Sequence, residues 1–311
     1  MKGSVKFNNP TVAIQSWYVA APSKAVRRGQ VKSYDLLDRR IALFRDQNGT
    51  VHALDARCAH LGADLGQGQV VGNQLQCAFH HWCYDPDGSC RRVPGLDHPP
   101  RRRVRRYPTQ EKWGLIWIFN GPRPLFTLPE PPSKAGERYR HFRPPPQHIN
   151  CHPHLVIANG LDITHFESLH GMVFSTPPRL IVDEPYQLTL EVRGRPDSRL
   201  LQHLTGSRQQ DIVASFTTLG GNLAWAEVRE PIRFYMLFTG LPSSAGGCQT
   251  QTVFFFPAKP AKQCLQAILL MYTLLRDDHR ILDSLMFSPG FTEQDESLKC
   301  FAKTVNAMET W

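Results

Sequence analysis

Residues 58–80 read CAHLGADLGQGQVVGNQLQCAFH, with two cysteines and two histidines arranged as C-x-H, sixteen residues, then C-x-x-H. Gly72-Asn73 lies between the strand-like runs "QVV" and "QLQCAF", so the stretch is expected to fold as a hairpin with the four side chains in loops at its ends. Two such loops can converge on one metal centre. A zinc finger usually carries its Cys pair in one half and its His pair in the other, on a helix. Here each loop contributes one Cys and one His.

That mixed pairing suits a Rieske 2Fe-2S cluster, in which one iron takes two thiolates and the other two imidazoles; zinc is the alternative. Glycines at 62, 66 and 68, followed by Gly72, let the first loop turn tightly and bring backbone N–H groups toward the sulfides. Nearby Cys83 and Cys90 read as half-buried thiols or as extra redox groups.

Working outward, the chain has 311 residues, 41% hydrophobic and 20% charged, which allows two domains with separate cores. Eight widely spaced cysteines do not form the disulfide framework of a small secreted domain. The polar start "MKGSVKFNNP" has no signal-peptide core, and the longest apolar run, Ile268 to Leu275, is too short to cross a bilayer. A soluble cytoplasmic protein without membrane association is the expectation. The 36 Lys and Arg against 27 Asp and Glu give a charge of +9. That excess fits nucleic acid, an anionic membrane or an acidic protein equally well.

Residues 121–146 carry eight of the 25 prolines and show no helix or strand periodicity, marking a boundary between domains at 1–125 and 126–311. Before it, runs such as "SWYVAA", "RIALFRD" and "GLIWIFNG" predict an all-β, mostly antiparallel domain. After it, a short helix over "NGLDITHFESLHG" precedes strand-like runs including "QLTLEVRG", "NLAWAEVRE" and "TQTVFFFPA". A long helix is then predicted over residues 261–287. The second domain is therefore α+β, an antiparallel sheet gripped by a long C-terminal helix.

That second domain has its own constellation. Asp162, His165 and His170 share one short segment closed by Gly171. Histidines at i and i+5 stand about 140° apart on an ideal helix, so convergence requires the helix to distort or end near Ser168. A third ligand can be sought on the long helix, where a carboxylate inside an apolar stripe is costly unless a cation satisfies it. Asp278 is flanked by Met271, Leu274, Leu275, Ile281, Leu282 and Leu285, and so faces the core. Asp277 and Asp283 have polar neighbours and read as solvated. Two His and one carboxylate form the facial triad of non-heme Fe(II) sites.

"CAHLGADLGQG" and "CAFHHWCYDPDG" resemble the two cluster-binding boxes of the Rieske non-heme iron oxygenases, over most of the first domain. The resemblance extends to the N-x-x-D-x-x-H-x4-H box at Asn159, Asp162, His165 and His170, with Asp278 as the distant carboxylate. It implies that Cys58 and Cys77 ligate one iron of the cluster, His60 and His80 the other, and that Trp82 packs beneath the loop. His81 departs from the pattern, which usually has Gly. By resemblance, His165, His170 and Asp278 hold a mononuclear Fe(II), and Asp162 bridges His165 to His80 of a neighbouring subunit in a head-to-tail homotrimer.

The same resemblance implies a terminal oxygenase. Electrons from NAD(P)H would arrive through a separate reductase, with or without a ferredoxin, and O2 would be the co-substrate. No G-x-G-x-x-G follows a predicted strand, which places nucleotide chemistry on another polypeptide. The compact length resembles single-subunit members that hydroxylate or demethylate. The alternatives are a cis-dihydroxylating dioxygenase and an electron carrier lacking the second iron. "FTTLGGNLAWAEV" and "FYMLFTG" suggest an apolar pocket for a ring compound.

Two further features compete for attention. "HINCHPHL" offers His148, Cys151, His152 and His154, but its prolines predict an extended connector with structural histidines. "RRRVRRYP" holds Arg101, Arg102 and Arg103 with only Tyr107 as an aromatic, which argues against nucleic acid. It reads as a solvated face or a docking site for an acidic reductase or ferredoxin.

Overall fold

The computed structural model describes residues 5–132, 138–205, 207–208, 210–243, 246–258 and 261–311. The chain divides into two compact units, one of residues 15–125 with 310–311, the other of residues up to 14 with 126–309. The assignment of the N-terminal residues to the first domain and of the last two to the second is thereby corrected. Phe7 packs on His154 and Phe301 in the second unit, while the Trp311 ring lies 4.4 Å from the Arg105 guanidinium and edge-on to Tyr107 in the first.

The first unit runs β1 (Trp17–Pro22), β2 (Val31–Leu36), β3 (Arg39–Arg45), β4 (Val51–Asp55), β5 (Gln69–Val71), β6 (Gln74–Gln76), β7 (Cys83–Tyr84), β8 (Cys90–Arg92), β9 (Arg106–Tyr107), β10 (Thr109–Lys112) and β11 (Leu115–Phe119). Among the described residues these form three sheets, in the orders β1-β11-β10, β2-β3-β4-β9 and β5-β6-β7-β8. Every ladder is antiparallel. Gly72, at φ +62°, sits first in the two-residue turn that pairs Val71 with Gln74, a position where only glycine is unstrained.

The second unit continues with β12 (Tyr139–Phe142), β13 (Gln147–Ile149), α1 (Pro153–Ala158), α2 (Ile163–Ser168), β14 (Met172–Glu184), β15 (Gln187–Pro196), α3 (Arg199–Thr205), β16 (Ile212–Leu219), β17 (Leu223–Glu230), β18 (Phe234–Pro242), β19 (Cys248–Pro257), α4 (Ala261–Leu282) and α5 (Glu296–Ala307). One sheet runs β12-β19-β18-β17-β16-β15-β14, with β13 also on β19. Leu188, Leu190 and Val192 of β15 are buried while Thr189, Glu191 and Arg193 are not, the alternation of a strand with one face in a core. α4 lays Ala267 and Met271 against Phe234, Phe254 and Phe256.

Several expectations are corrected. The long helix ends at Leu282, not 287. The expected connector "HINCHPHL" contains the end of β13, paired with β19, and the start of α1, where Pro153 in the first turn loses no hydrogen bond and His152 caps the helix. β12 lies inside the segment read as aperiodic, held by pairing with β19. α5 was not anticipated, although Phe301, Ala302 and Val305 recur at helical spacing and are buried. No helix among the described residues is long and apolar enough to cross a membrane.

Candidate functional site

The two loops of the opening stretch are wound alike. In the first, Gly62 N–H donates to Cys58 O and Cys58 N–H to Ala63 O, both at 2.9 Å. In the second, His81 N–H donates to Cys77 O at 3.1 Å and Cys77 N–H to Trp82 O at 2.9 Å. Gly62 has φ +78° and His81 has φ +56°, so His81 occupies the left-handed position that Gly62 fills in the first loop. A glycine is at home there, which accounts physically for the residue that His81 replaces.

Loop one is anchored from below. The Asp64 carboxylate accepts from Ser33 Oγ at 2.6 Å, Arg40 Nε at 2.7 Å and Gly66 N at 2.8 Å. Burial raises the Asp64 carboxyl, but these donors outweigh it and hold it below its ordinary value. A Cβ on Gly66 would stand 2.8 Å from the Ser33 backbone nitrogen, and one on Gly68 would stand 2.1 Å from Gln76 O. Both glycines thus serve close backbone approach. Sequence reasoning missed Asp64 because its partners come from β2 and β3.

Cys58 and Cys77 are buried at 4% and 1% exposure, whereas His60 and His80 are exposed. The His60 and His80 ring centroids lie 4.6 Å apart, and Trp82 stacks on His60 at 4.6 Å with planes 5° apart. The four expected ligand residues therefore come together, with sulfurs inward and imidazoles outward. Tyr84 was not singled out from sequence. Its hydroxyl accepts from Ala59 N–H and lies 3.0 Å from Cys58 Sγ, placed to donate to that sulfur. Burial pushes the Cys77 thiol up, and the Phe79 and His80 amides aimed at its sulfur work the other way.

Cys83 and Cys90 are buried, correcting the half-buried expectation. Cys83 Sγ accepts from Arg92 at 3.1 Å, and Cys90 lies in the core around Cys58.

The second constellation also assembles. Asp162 caps α2 by accepting from His165 N–H at 2.9 Å. α2 stops at Ser168 and Gly171 turns at φ +58°, so His170 leaves the helical path and swings to the same side as His165. A Cβ on Gly171 would meet Asp197 Oδ1 at 2.3 Å. Asp278 reaches in from α4, its Oδ1 lying 3.2 Å from His165 Nε2 and 2.8 Å from His170 Nε2. The ligand atoms of the three residues all lie within 4.8 Å of one another.

Burial raises the Asp278 carboxyl, but the two imidazoles outweigh it and hold it below its ordinary value. Even so, Asp278 Oδ1 is buried without a hydrogen bond of proper geometry. Two ring nitrogens and an orphaned carboxylate oxygen aimed at one point fit a divalent cation, here a facial N2O set suited to ferrous iron. Asn159 Nδ2 lies 3.2 Å from His165 Nε2, at the edge of the same site.

Not every neighbour of Asp278 is core. Ile281 is 46% and Leu285 39% exposed, so part of the apolar stripe around Asp278 lies outside the core. Asp277 pairs with Arg276 at 3.3 Å, and Asp283 accepts from Asn150 N–H at 3.0 Å. In "HINCHPHL", His154 is buried against Phe7 and accepts from Asn8 N–H at 3.1 Å. Burial drives His154 well below its ordinary value and His152 down to about 4.

The triad opens on a cavity of about 1560 Å³, counting its mouth, between the sheet and α4. Its floor alternates along the strands, with Phe216 from β16, Ala224 and Ala226 from β17, and Met236 and Phe238 from β18. These residues fall in the two runs expected to form an apolar pocket.

Residues 16–108 match the family model of the Rieske [2Fe-2S] domain. The chain carries a Rieske domain.

Outside this Rieske unit the likeness continues. The chain is 37% identical over 162 residues to a 4beta-methylsterol monooxygenase of Methylococcus capsulatus, covering 50% of this chain and 44% of that protein. It is 30% identical over 216 residues to the oxygenase component of a 3-ketosteroid-9-alpha-monooxygenase of Mycobacterium tuberculosis, covering 67% and 55%. The chain thus spans about half the length of these curated relatives. A crystal structure of dicamba monooxygenase bound to dicamba aligns at TM-score 0.65 and 20% identity, over 94% of this chain and 97% of that one. A second, containing non-heme iron and dicamba, aligns at TM-score 0.60. The Rieske unit and the sheet-and-helix unit share the fold of these dicamba monooxygenase structures.

Proposed function

We propose that the chain is the terminal oxygenase of a multicomponent Rieske system that inserts one oxygen atom of O2 into a polycyclic, largely apolar substrate of sterol type. The observation that carries this function is the triad of His165, His170 and Asp278 in the wall of a large apolar cavity. Both curated relatives are named for sterol or ketosteroid oxygenation, which supports the substrate class.

Cys58, His60, Cys77 and His80 would hold the cluster, and the triad would hold iron. The cluster supplies electrons singly and the ferrous ion supplies dioxygen activation. The chain's own residues set geometry and dryness. Asn159 borders the His165 ring, Asp162 fixes the start of α2 and hence the reach of His165, and the cavity lining excludes water. Electrons would come from NAD(P)H through a separate reductase, with or without a ferredoxin.

A head-to-tail homotrimer belongs to this function. His80 is exposed beside Phe79 and Leu61, at 62% and 67% exposure, an apolar rim suited to another copy. Asp162 caps α2 through one oxygen, and among the described residues no donor reaches the other. That oxygen could therefore receive His80 of the next subunit, closing a cyclic arrangement.

The test is turnover under labelled dioxygen, with a reductase and a panel of sterols and 3-ketosteroids. One labelled oxygen per product is the expected result. A labelled cis-diol would assign dihydroxylation instead, and no consumption of any steroid would contradict the substrate class.

A further inference from the structure

The cavity is chemically lopsided. Across its floor from β19 to β15 lie five strands, on the order of 19 Å at the usual spacing. On the far side Met172, Val192, Pro196, Leu201 and Ile212 offer hydrocarbon and one thioether sulfur, with no hydrogen-bond donor. The one hydroxyl there, Thr205, already donates to Leu201 O at 2.7 Å.

The side formed by β13 and β19 is different. Thr250 and Thr252 both point into the cavity, as alternate residues of β19 must, and Gln147 of β13 lies opposite Thr250 in register. The Thr250 hydroxyl is committed to Gln147 O at 3.1 Å, and His279 Nε2 lies 3.0 Å from His148 O. The Gln147 side chain is exposed, whereas Thr252 is only 6% exposed and its hydroxyl has no hydrogen-bond partner among the described residues. Its row of the sheet continues through Phe238 and Ala224, which give it nothing polar. A nearly buried hydroxyl opening on an apolar cavity costs free energy unless something hydrogen-bonds to it.

We propose that Thr252 is the polar anchor that selects an oxygen-bearing substrate and holds that end against β13 and β19. The hydrocarbon end then points toward β15 and α3. This rests on the sterol-type substrate proposed above and adds how that substrate is oriented. Thr252 acts as a positioning residue, because it is not one of the triad ligands.

Binding to the purified holoenzyme, followed by calorimetry, tests the anchor apart from turnover. The probes are 5α-androstane, 5α-androstan-3-one and 5α-androstan-17-one. Wild type should bind one of the two ketones more tightly than the hydrocarbon. Thr252→Val, which removes the hydroxyl at nearly constant volume, should cut that preference about five- to tenfold. Thr252→Ser should keep it, and hydrocarbon affinity should be unchanged in both variants. Ketone preference within twofold of wild type in Thr252→Val would overturn the anchor while leaving the sterol class intact. Failure of all three probes to bind would remove both.

Discussion

His81 holds a left-handed backbone angle that a side chain normally costs about 1 kcal/mol to adopt, and it does so in the loop that carries His80. His81→Gly is therefore expected to leave the melting temperature unchanged or raise it. His81→Val, β-branched at the same angle, should lower it measurably. Thermal melts of the two variants check the pair. At this scale the candidate ligand residues could be picked out because metal chemistry restricts residue type and spacing together. Tyr84 and Asp64 could not, because each acts on a residue or strand more than twenty positions away and nothing local marks it.

α1 begins at a pair of histidines kept neutral by burial, and so ties the second unit's stability to pH. His152 falls to about 4 in the fold from an ordinary 6.5, and His154 falls well below its own. The unfolded chain then binds more protons than the folded one between pH 6.5 and 4. Stability is full above pH 6.5, declines as the pH falls through that window, and changes little further from His152 below about pH 4. His152 alone accounts for on the order of 3 kcal/mol. Urea denaturation at pH 7, 5.5 and 4.5 should show the decline, and His152→Asn should flatten it.

α4 was legible from its period, and Asp278 from its apolar surround. Its end point was not, because Leu285 and Met286 continue the pattern in composition while lying exposed past the helix. α5 escaped notice because it is a short helix whose apolar residues cluster at Cys300, Phe301 and Ala302 rather than recurring over several turns. β12 is four residues whose strand character comes from β19, a contact more than a hundred residues away.

The charge of the whole molecule is unevenly shared. Residues 15–125 carry seventeen Lys and Arg against nine Asp and Glu, so nearly all of the +9 resides on the Rieske unit. Arg103 is engaged with Asp87 at 3.6 Å, whereas Arg101 and Arg102 are exposed and, among the described residues, unpaired by any acid. An acidic electron donor would meet these two first. Reduction of the cluster by such a donor should slow as ionic strength rises, and Arg101→Gln with Arg102→Gln should weaken that dependence. Stopped-flow reduction across a salt series reads it out, and a rate indifferent to salt would remove the docking surface.

The two-unit plan was visible in the proline-rich segment, but the exchange of the termini between units was not, since it depends on where Phe7 and Trp311 find partners. The central claim is that one chain unites a Rieske cluster with a second, mononuclear iron. Iron content of the purified protein tests it most directly: about three irons per chain in wild type and about two in Asp278→Ala, with the Rieske spectrum unchanged, is the predicted result. Two irons in wild type, with none lost in Asp278→Ala or His165→Ala, would contradict it.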